Sequence, residues 1–241
     1  MDLKCHLALT GFEYTAAKQL PKHIAWMACH FSLSSKGLSN LPADLPAGAV
    51  VLIDDSIPPR DHDPEFILQQ LNALIRQQKT GCILLDLQRP DLPENAAIAK
   101  HLTEKLGIPV CVSSLYADPL DCSVLLPPPP LTQHLKTHIS PWGGRDIWLE
   151  IALESQQITV TQEGSHFSPL PFAPLQGKSF TDEKLCTRYQ TQVFEDRAVF
   201  TLVRDVEMNK LLLQRARQLR IAQAVGLYQQ FAPVMSEWSP M

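Results

Sequence analysis

The chain has 241 residues, of which 45% are hydrophobic and 19% are charged, and its formal net charge is −4 at pH 7. This composition is typical of a globular protein that buries a full core, and it excludes an overall basic field for nucleic acid or an anionic membrane. No stretch approaches the ~18 consecutive apolar residues of a membrane span. We therefore expect neither a nucleic-acid partner nor a membrane partner.

The six cysteines indicate a reducing compartment. None of them forms a CxxC pair, and most lie in or beside apolar runs such as GCILLD and IPVCVSS. This pattern is typical of buried free thiols. Because the N-terminus also lacks a basic segment followed by a long apolar run, the sequence predicts a cytoplasmic protein.

Short apolar runs alternate with helical or proline-rich segments over the first two thirds of the chain. Seven runs are predicted as strands: 4–12, 24–31, 49–55, 81–88, 108–114, 122–126 and 146–154. Helical periodicity predicts helices over 64–78 and 94–106. Because the strands are nearly continuous Val, Ile and Leu, they indicate a parallel sheet that is covered on both faces.

The segment 157–205 interrupts this alternation. It contains the strand-like runs QQITVTQEG and RAVFTLVRD, a Pro- and Phe-rich loop between them, and a short predicted helix over 182–190. An amphipathic helix over 206–220 and an eighth strand over 222–231 follow. We therefore divide the chain into barrel strands one to seven (1–156), an α+β insertion (157–205), and the last barrel helix and strand (206–241).

Eight parallel strands joined by helices close into a (β/α)8 barrel, for which about 250 residues is typical. The predicted fold class is thus α/β, a compact TIM-like barrel with a small α+β insertion between strands seven and eight. The helices after strands one and two must be short or missing. The alternative is an open α/β sheet of six strands with a satellite unit.

Carboxylates occur near the ends of the predicted strands, where barrels place their functional sites. Alternation along strand four directs Asp86 and Gln88 into the lumen, and alternation along strand seven directs Glu150 and Glu154 there. A charge inside a barrel is costly unless it is paired. The group therefore predicts either a structural polar network or a pocket for a polar ligand such as a sugar.

Four further residues belong to this predicted site. Asp54 or Asp55 ends strand three, Tyr116 follows strand five, and Tyr228 is placed on strand eight beside Gly226. Aromatic rings among carboxylates favour the sugar-binding interpretation.

The segment 81–88 resembles the fourth-strand signature DGxDxDxE of the family 18 glycoside hydrolases, the chitinase-like barrels. Asp86 matches the last Asp of the signature, Leu84 replaces the preceding Asp, and Gln88 stands where the resemblance places the catalytic Glu. The later order is also similar, because an apolar seventh strand is followed by an insertion. Tyr228 falls where the family has a sugar-stacking Trp, whereas Leu126 and a proline run replace its Tyr-Asp pair.

The resemblance implies substrate-assisted cleavage, in which an acid protonates the glycosidic oxygen and the substrate acetamido group attacks the anomeric carbon. The Asp two residues before the acid orients that acetamido group. Gln88 cannot donate the proton at any accessible pH. We therefore predict a barrel that has lost this mechanism and binds a saccharide or cell-wall fragment. The predicted contacts are Asp86, Gln88, Glu150, Tyr116 and Tyr228.

Two alternatives stay open. The first is an active glycosidase with a relocated acid, Glu150, and with Asp54 or Asp55 as its partner; a carboxyl separation of about 5–5.5 Å indicates retention and ~6.5–9.5 Å inversion. The second is a non-enzymatic interaction or scaffold protein whose insertion supplies the partner surface. The sequence leaves the oligomeric state open.

No cofactor and no metal are predicted. The chain has neither a Walker A loop nor a GxGxxG motif. Asp61, His62 and Asp63 are interpreted as a solvated loop before a helix, because neighbouring residues rarely converge on one ion. His6 and His30 are interpreted as core histidines.

Overall fold

The computed structural model describes residues 2–17 and 20–235. It contains fourteen strands and seven α-helices over these residues. The strands are β1 (Lys4–Leu9), β2 (Ile24–Phe31), β3 (Leu38–Ser39), β4 (Val50–Asp54), β5 (Cys82–Asp86), β6 (Val110–Ser113), β7 (Ser123–Leu126), β8 (Ile147–Ile151), β9 (Glu154–Thr161), β10 (Gly164–Leu170), β11 (Phe180–Asp182), β12 (Thr187–Val193), β13 (Arg197–Arg204) and β14 (Gln223–Leu227). The helices are α1 (Gly11–Ala16), α2 (Pro64–Gln78), α3 (Pro93–Lys105), α4 (Ser114–Ala117), α5 (Leu135–Ile139), α6 (Val206–Gln218) and α7 (Tyr228–Phe231).

Eight parallel strands form a closed barrel. Their order is β1-β2-β4-β5-β6-β7-β8-β14, and the ring closes because β1 pairs with both β14 and β2. The two-residue β3 adds antiparallel to the end of β2. The predicted TIM-like barrel is confirmed, and the alternative of an open six-stranded sheet is wrong because the ring of parallel strands is complete.

The helices outside the barrel begin and end where local chemistry directs them. Asp63 caps α2 by accepting a hydrogen bond from the Glu65 amide at 3.0 Å, Pro64 occupies its first turn, and Lys79 ends it in the left-handed conformation with φ 51°. Asp205 caps α6 in the same way. Between β1 and β2 the described residues contain only the short α1, and no α-helix lies between β2 and β4, as the sequence predicts.

Apolar side chains pack on both faces of the barrel wall, inside the lumen and outside against the helices. The lumen is filled by one set of small and medium residues together with one Trp: Ala8, Ala25, Val50, Leu52, Cys82, Leu84, Cys111, Leu125, Trp148 and Val225. The intervening residues of the same strands, such as Ile83 and Leu85, pack outward against the helices. Because side chains alternate between the two faces of a strand, Asp86 on β5 points into the lumen like Leu84, and Glu150 on β8 points into it like Trp148.

The insertion is an antiparallel sheet of five strands in the order β10-β9-β13-β12-β11. The predicted helix over 182–190 is wrong, because this segment forms the end of β11, a turn and the start of β12. The Asp182 carboxylate accepts hydrogen bonds from the Lys184 and Leu185 amides at 2.9 and 3.1 Å, which stabilises the turn, and β12 then pairs with β13. The division of the chain at 157 and 205 stays a prediction.

All of the predicted barrel strands except strand two are shorter in the structure, and strands one, seven and eight differ most at their ends. Strand seven ends at Ile151, so Glu154 lies on β9 and not on the predicted strand. Strand one ends at Leu9, because the Thr10 hydroxyl accepts a hydrogen bond from the Glu13 amide and begins α1. Strand eight ends at Leu227, and Tyr228 begins α7. Among the described residues, no helix is long and apolar enough to cross a membrane.

Candidate functional site

The carboxyl ends of three adjacent strands bring polar side chains together at one mouth of the barrel. His30, Asp54 and Asp86 are register neighbours on β2, β4 and β5. The His30 Nδ1 atom lies 2.8 Å from the Asp54 carboxylate, and both side chains are partly exposed, at 29% and 20%. His30 therefore lies at the mouth rather than in the core.

Asp86 and Gln88 occupy this mouth as the alternation predicts. Asp86 is half-buried, and the exposed Gln88 amide donates a hydrogen bond to its carboxylate. Burial raises the pKa of Asp86, the Gln88 hydrogen bond opposes this, and the charges of Asp54 and Asp55 raise the pKa further. Gln88 thus orients Asp86 and favours its charged form.

Glu150 enters the same mouth from β8, three places along the ring from β5. Burial raises the pKa of Glu150 to about 8, with further contributions from the charges of Asp86 and Glu154. At neutral pH the Glu150 carboxyl is therefore largely protonated, so it can donate a proton or a hydrogen bond. A protonated Glu150 near the charged Asp86 would give the mouth one proton donor and one proton acceptor.

Glu154 is held at the junction of barrel and insertion by Arg204. The two are register partners on β9 and β13, and the Arg204 Nη1 atom lies 2.6 Å from the Glu154 carboxylate. The Arg204 side chain is fully buried. Burial raises the pKa of Glu154, and the charge and hydrogen bond of Arg204 oppose this. The sequence prediction misses Arg204, although its position at the end of the alternating run RAVFTLVR places it on the apolar face of β13.

Asp55 and Asp54 have different roles, which the sequence leaves open. Asp55 is 3% exposed and points away from the lumen. Its carboxylate accepts hydrogen bonds from the Gln88 and Arg89 amides at 3.0 and 2.9 Å and from the Asn95 side chain at 2.7 Å. Asp55 therefore fixes the backbone that carries Gln88, whereas Asp54 faces the mouth.

The two predicted tyrosines are not brought to the mouth. The Tyr116 hydroxyl donates a hydrogen bond to the Arg89 carbonyl on the helical side of the barrel. Tyr228 packs with the apolar cluster outside β1, β8 and β14. Val225 packs in the lumen, so Leu227 is the next residue of β14 on the inward face. The prediction that Tyr228 points inward is therefore wrong by one residue in the alternation.

His6 lies at the opposite end of the lumen. Its ring stacks on Trp148 with centroids 5.1 Å apart, and its Nε2 atom lies 3.1 Å from the Gln223 side-chain oxygen. Burial lowers the pKa of His6 to about 4, so the ring is neutral. The interpretation of His6 as a core histidine is confirmed.

The candidate metal ligands of the 61–63 loop have structural contacts. Asp63 caps α2, and the His62 Nδ1 atom lies 3.0 Å from the Arg60 carbonyl. Over residues 2–17 and 20–235, no group of three His, Cys, Asp or Glu side chains is arranged to hold a metal ion.

The fold is similar to solved chitinase-like barrels. The spore cortex-lytic enzyme SleL of Bacillus megaterium matches with a TM-score of 0.56 and 9% identity over 99% of this chain and 74% of that one. A chitinase from Chromobacterium violaceum matches with a TM-score of 0.57 and 8% identity over 92% and 93%. A family 18 chitinase from Cycas revoluta, in complex with (GlcNAc)3, matches with a TM-score of 0.55 and 12% identity over 94% and 95%.

These similarities show the fold, which is a TIM barrel like those of SleL and the solved chitinases. No protein-family model matches the sequence, and no curated protein matches it.

Proposed function

We propose that the barrel mouth binds a saccharide without cleaving it by the substrate-assisted mechanism. The observation that carries this proposal is the Asp86–Gln88 pair. An amide stands two residues after the Asp, at the position where the resemblance places the acid, and it donates a hydrogen bond to the Asp86 carboxylate. Such a pair offers an acceptor and an amide to sugar hydroxyls, but no proton for a leaving group.

The surroundings of this pair support a polar ligand. Glu150 supplies a protonated carboxyl at neutral pH, and the His30–Asp54 pair supplies a second polar group on the adjoining strands. Because all six cysteines are free thiols and five of them are buried, we place the protein in the cytoplasm.

Native mass spectrometry with N-acetylglucosamine oligomers and muropeptides tests the proposal. We expect intact oligomer bound to the wild-type chain, binding lost in Asp86→Asn, and binding retained in Asp121→Asn. Asp121 is a matched control because it is exposed and precedes β7 at the opposite end of the barrel. Unchanged affinity in Asp86→Asn would overturn the proposal. A chain dimer without bound sugar would favour the interaction protein instead.

A second candidate is a glycosidase that uses Glu150 as its acid. The observation in its favour is that burial and the neighbouring carboxylates raise the pKa of Glu150 to about 8. General acid catalysis typically contributes about 10²–10⁴-fold to the rate.

The same spectra distinguish this second candidate. Cleavage products from the wild-type chain, absent in Glu150→Gln and present in Asp121→Asn, would support it. Since the acid must be protonated, cleavage would decline as the pH rises through about 8. Absence of products across this pH range would exclude it.

A further inference from the structure

A groove of about 370 Å³ opens outside the barrel, where the turn between β11 and β12 meets α5 and α6. None of the mouth residues lines it. The lining combines basic, neutral polar and apolar side chains: His134, Leu135, Lys136, Thr137, Lys184, Arg215, Gln218 and Leu219.

The lining is basic although the chain as a whole is acidic. Three basic side chains come from three different elements: Lys136 from α5, Lys184 from the turn and Arg215 from α6. None of the described Asp and Glu residues lines the groove. The whole chain, in contrast, has 25 Asp and Glu against 21 Lys and Arg.

Within residues 2–17 and 20–235, none of these three cations forms an ion pair with an anionic partner. The Arg215 side chain forms a hydrogen bond with the Cys186 thiol, and its buried Nε atom has no hydrogen-bond partner. Two other cations of α6 are paired: Lys210 lies 2.7 Å from Glu207, and Arg217 lies 2.9 Å from Asp2. The convergence of unpaired charge is therefore a property of the groove and not of the helix.

The groove is built from fixed elements. The His134 Nδ1 atom lies 3.3 Å from the Lys184 carbonyl, and the buried Thr187 hydroxyl donates a hydrogen bond to the Leu131 carbonyl at 3.0 Å. These contacts dock the turn against the segment before α5. The backbone segments that carry Lys136 and Lys184 are thus fixed before any ligand arrives.

We propose that this groove binds the phosphate group of a small organic phosphate monoester. A phosphate dianion matches several converging cations, because charge-assisted hydrogen bonds are the strongest that such side chains make. The volume lies within the about 300–1,000 Å³ of small-molecule sites, so it accommodates an organic group as well as the phosphate. Leu219, which is 36% exposed, offers that group an apolar contact.

Isothermal titration calorimetry at constant ionic strength tests the proposal, with glucose 6-phosphate, inorganic phosphate and glucose as probes. We expect glucose 6-phosphate to bind the wild-type chain and glucose not to bind. The Kd should rise about tenfold or more in Lys184→Gln and in Arg215→Gln, because each variant removes one charge-assisted contact. Lys210→Gln is the matched control, since it removes a paired lysine from the same helix.

The two phosphate probes distinguish the sources of the anion. Tighter binding of glucose 6-phosphate than of inorganic phosphate supports a monoester ligand, and equal binding assigns the site to phosphate itself while retaining the anion chemistry. Absence of binding by either phosphate would overturn the proposal, as would equal weakening in Lys210→Gln. Lys184 is exposed on a turn, so its variant reports on binding without disturbing the core.

Discussion

Replacing Glu150 by Gln should change how stability depends on pH. The ordinary pKa of a glutamate is 4.5, and in the folded chain burial and two neighbouring carboxylates raise the pKa of Glu150 to about 8. Between these two values the folded chain holds a proton that the unfolded chain has lost. The free energy of unfolding of the wild type must therefore fall as the pH rises from 4.5 to about 8.

The size of this loss in stability follows from the difference between the folded and the ordinary pKa of Glu150. Each pH unit between them is worth about 1.36 kcal/mol, so the whole interval costs the wild type at most about 5 kcal/mol. Gln has the shape of the protonated carboxyl and no charge to lose. The Glu150→Gln variant should therefore match the wild type near pH 4.5 and exceed its stability by up to about 5 kcal/mol above pH 8.

Urea unfolding at several pH values measures this difference, and the slope m must stay constant for the comparison to hold. The matched control is Glu163→Gln, since Glu163 is exposed in the turn between β9 and β10. The control should follow the wild type at every pH. The reasoning is refuted if Glu150→Gln and the wild type lose stability in parallel between acidic and alkaline pH.

Three further variants test the packing around the mouth by urea unfolding. Asp55→Ala leaves three donors without their buried acceptor, so we expect a loss of about 3 kcal/mol or more in the free energy of unfolding, and a loss below 1 kcal/mol would contradict the assigned hydrogen bonds. Gly226→Ala places a Cβ atom 2.8 Å from the Ile151 side chain, for which we expect a loss of about 1–3 kcal/mol; unchanged stability would mean that this contact relaxes freely. Arg204→Met leaves Glu154 without its partner in a half-buried place, and we expect a loss of about 3–5 kcal/mol near neutral pH that shrinks in acid; a loss independent of pH would show that packing and not charge holds this junction.

The barrel is predictable from the sequence because its strands are covered on both faces. Runs such as AVVLIDD and GCILLDLQ are almost continuously apolar. Such runs are typical of strands in a parallel sheet, because helices cover the outer face of the sheet while its inner face is also buried. The alternation in phase with Cys82 and Leu84 then places Asp86 correctly at the mouth, and the same reasoning places Glu150.

Other positions depend on information that no local pattern contains. Both faces of β4 are apolar, so its sequence cannot distinguish the inward Asp54 from the outward Asp55. The sequence prediction places Tyr228 inward because it groups Tyr228 with Gly226, whereas Val225 is the residue that packs in the lumen. The Glu154–Arg204 pair joins residues from opposite ends of the insertion, and it becomes visible only when β9 and β13 are paired.

That pairing has a consequence for how the chain folds. Since Glu154 and Arg204 are opposite one another in an antiparallel ladder, the insertion leaves the barrel and returns to it at nearly the same point. Three of its four strand pairings join strands that are neighbours in the chain, and the fourth, β9 with β13, brings the two ends of the insertion together. The insertion between β8 and α6 therefore adds little to the entropic cost of closing the barrel. A variant in which a short turn replaces the insertion should form the same eight-stranded barrel.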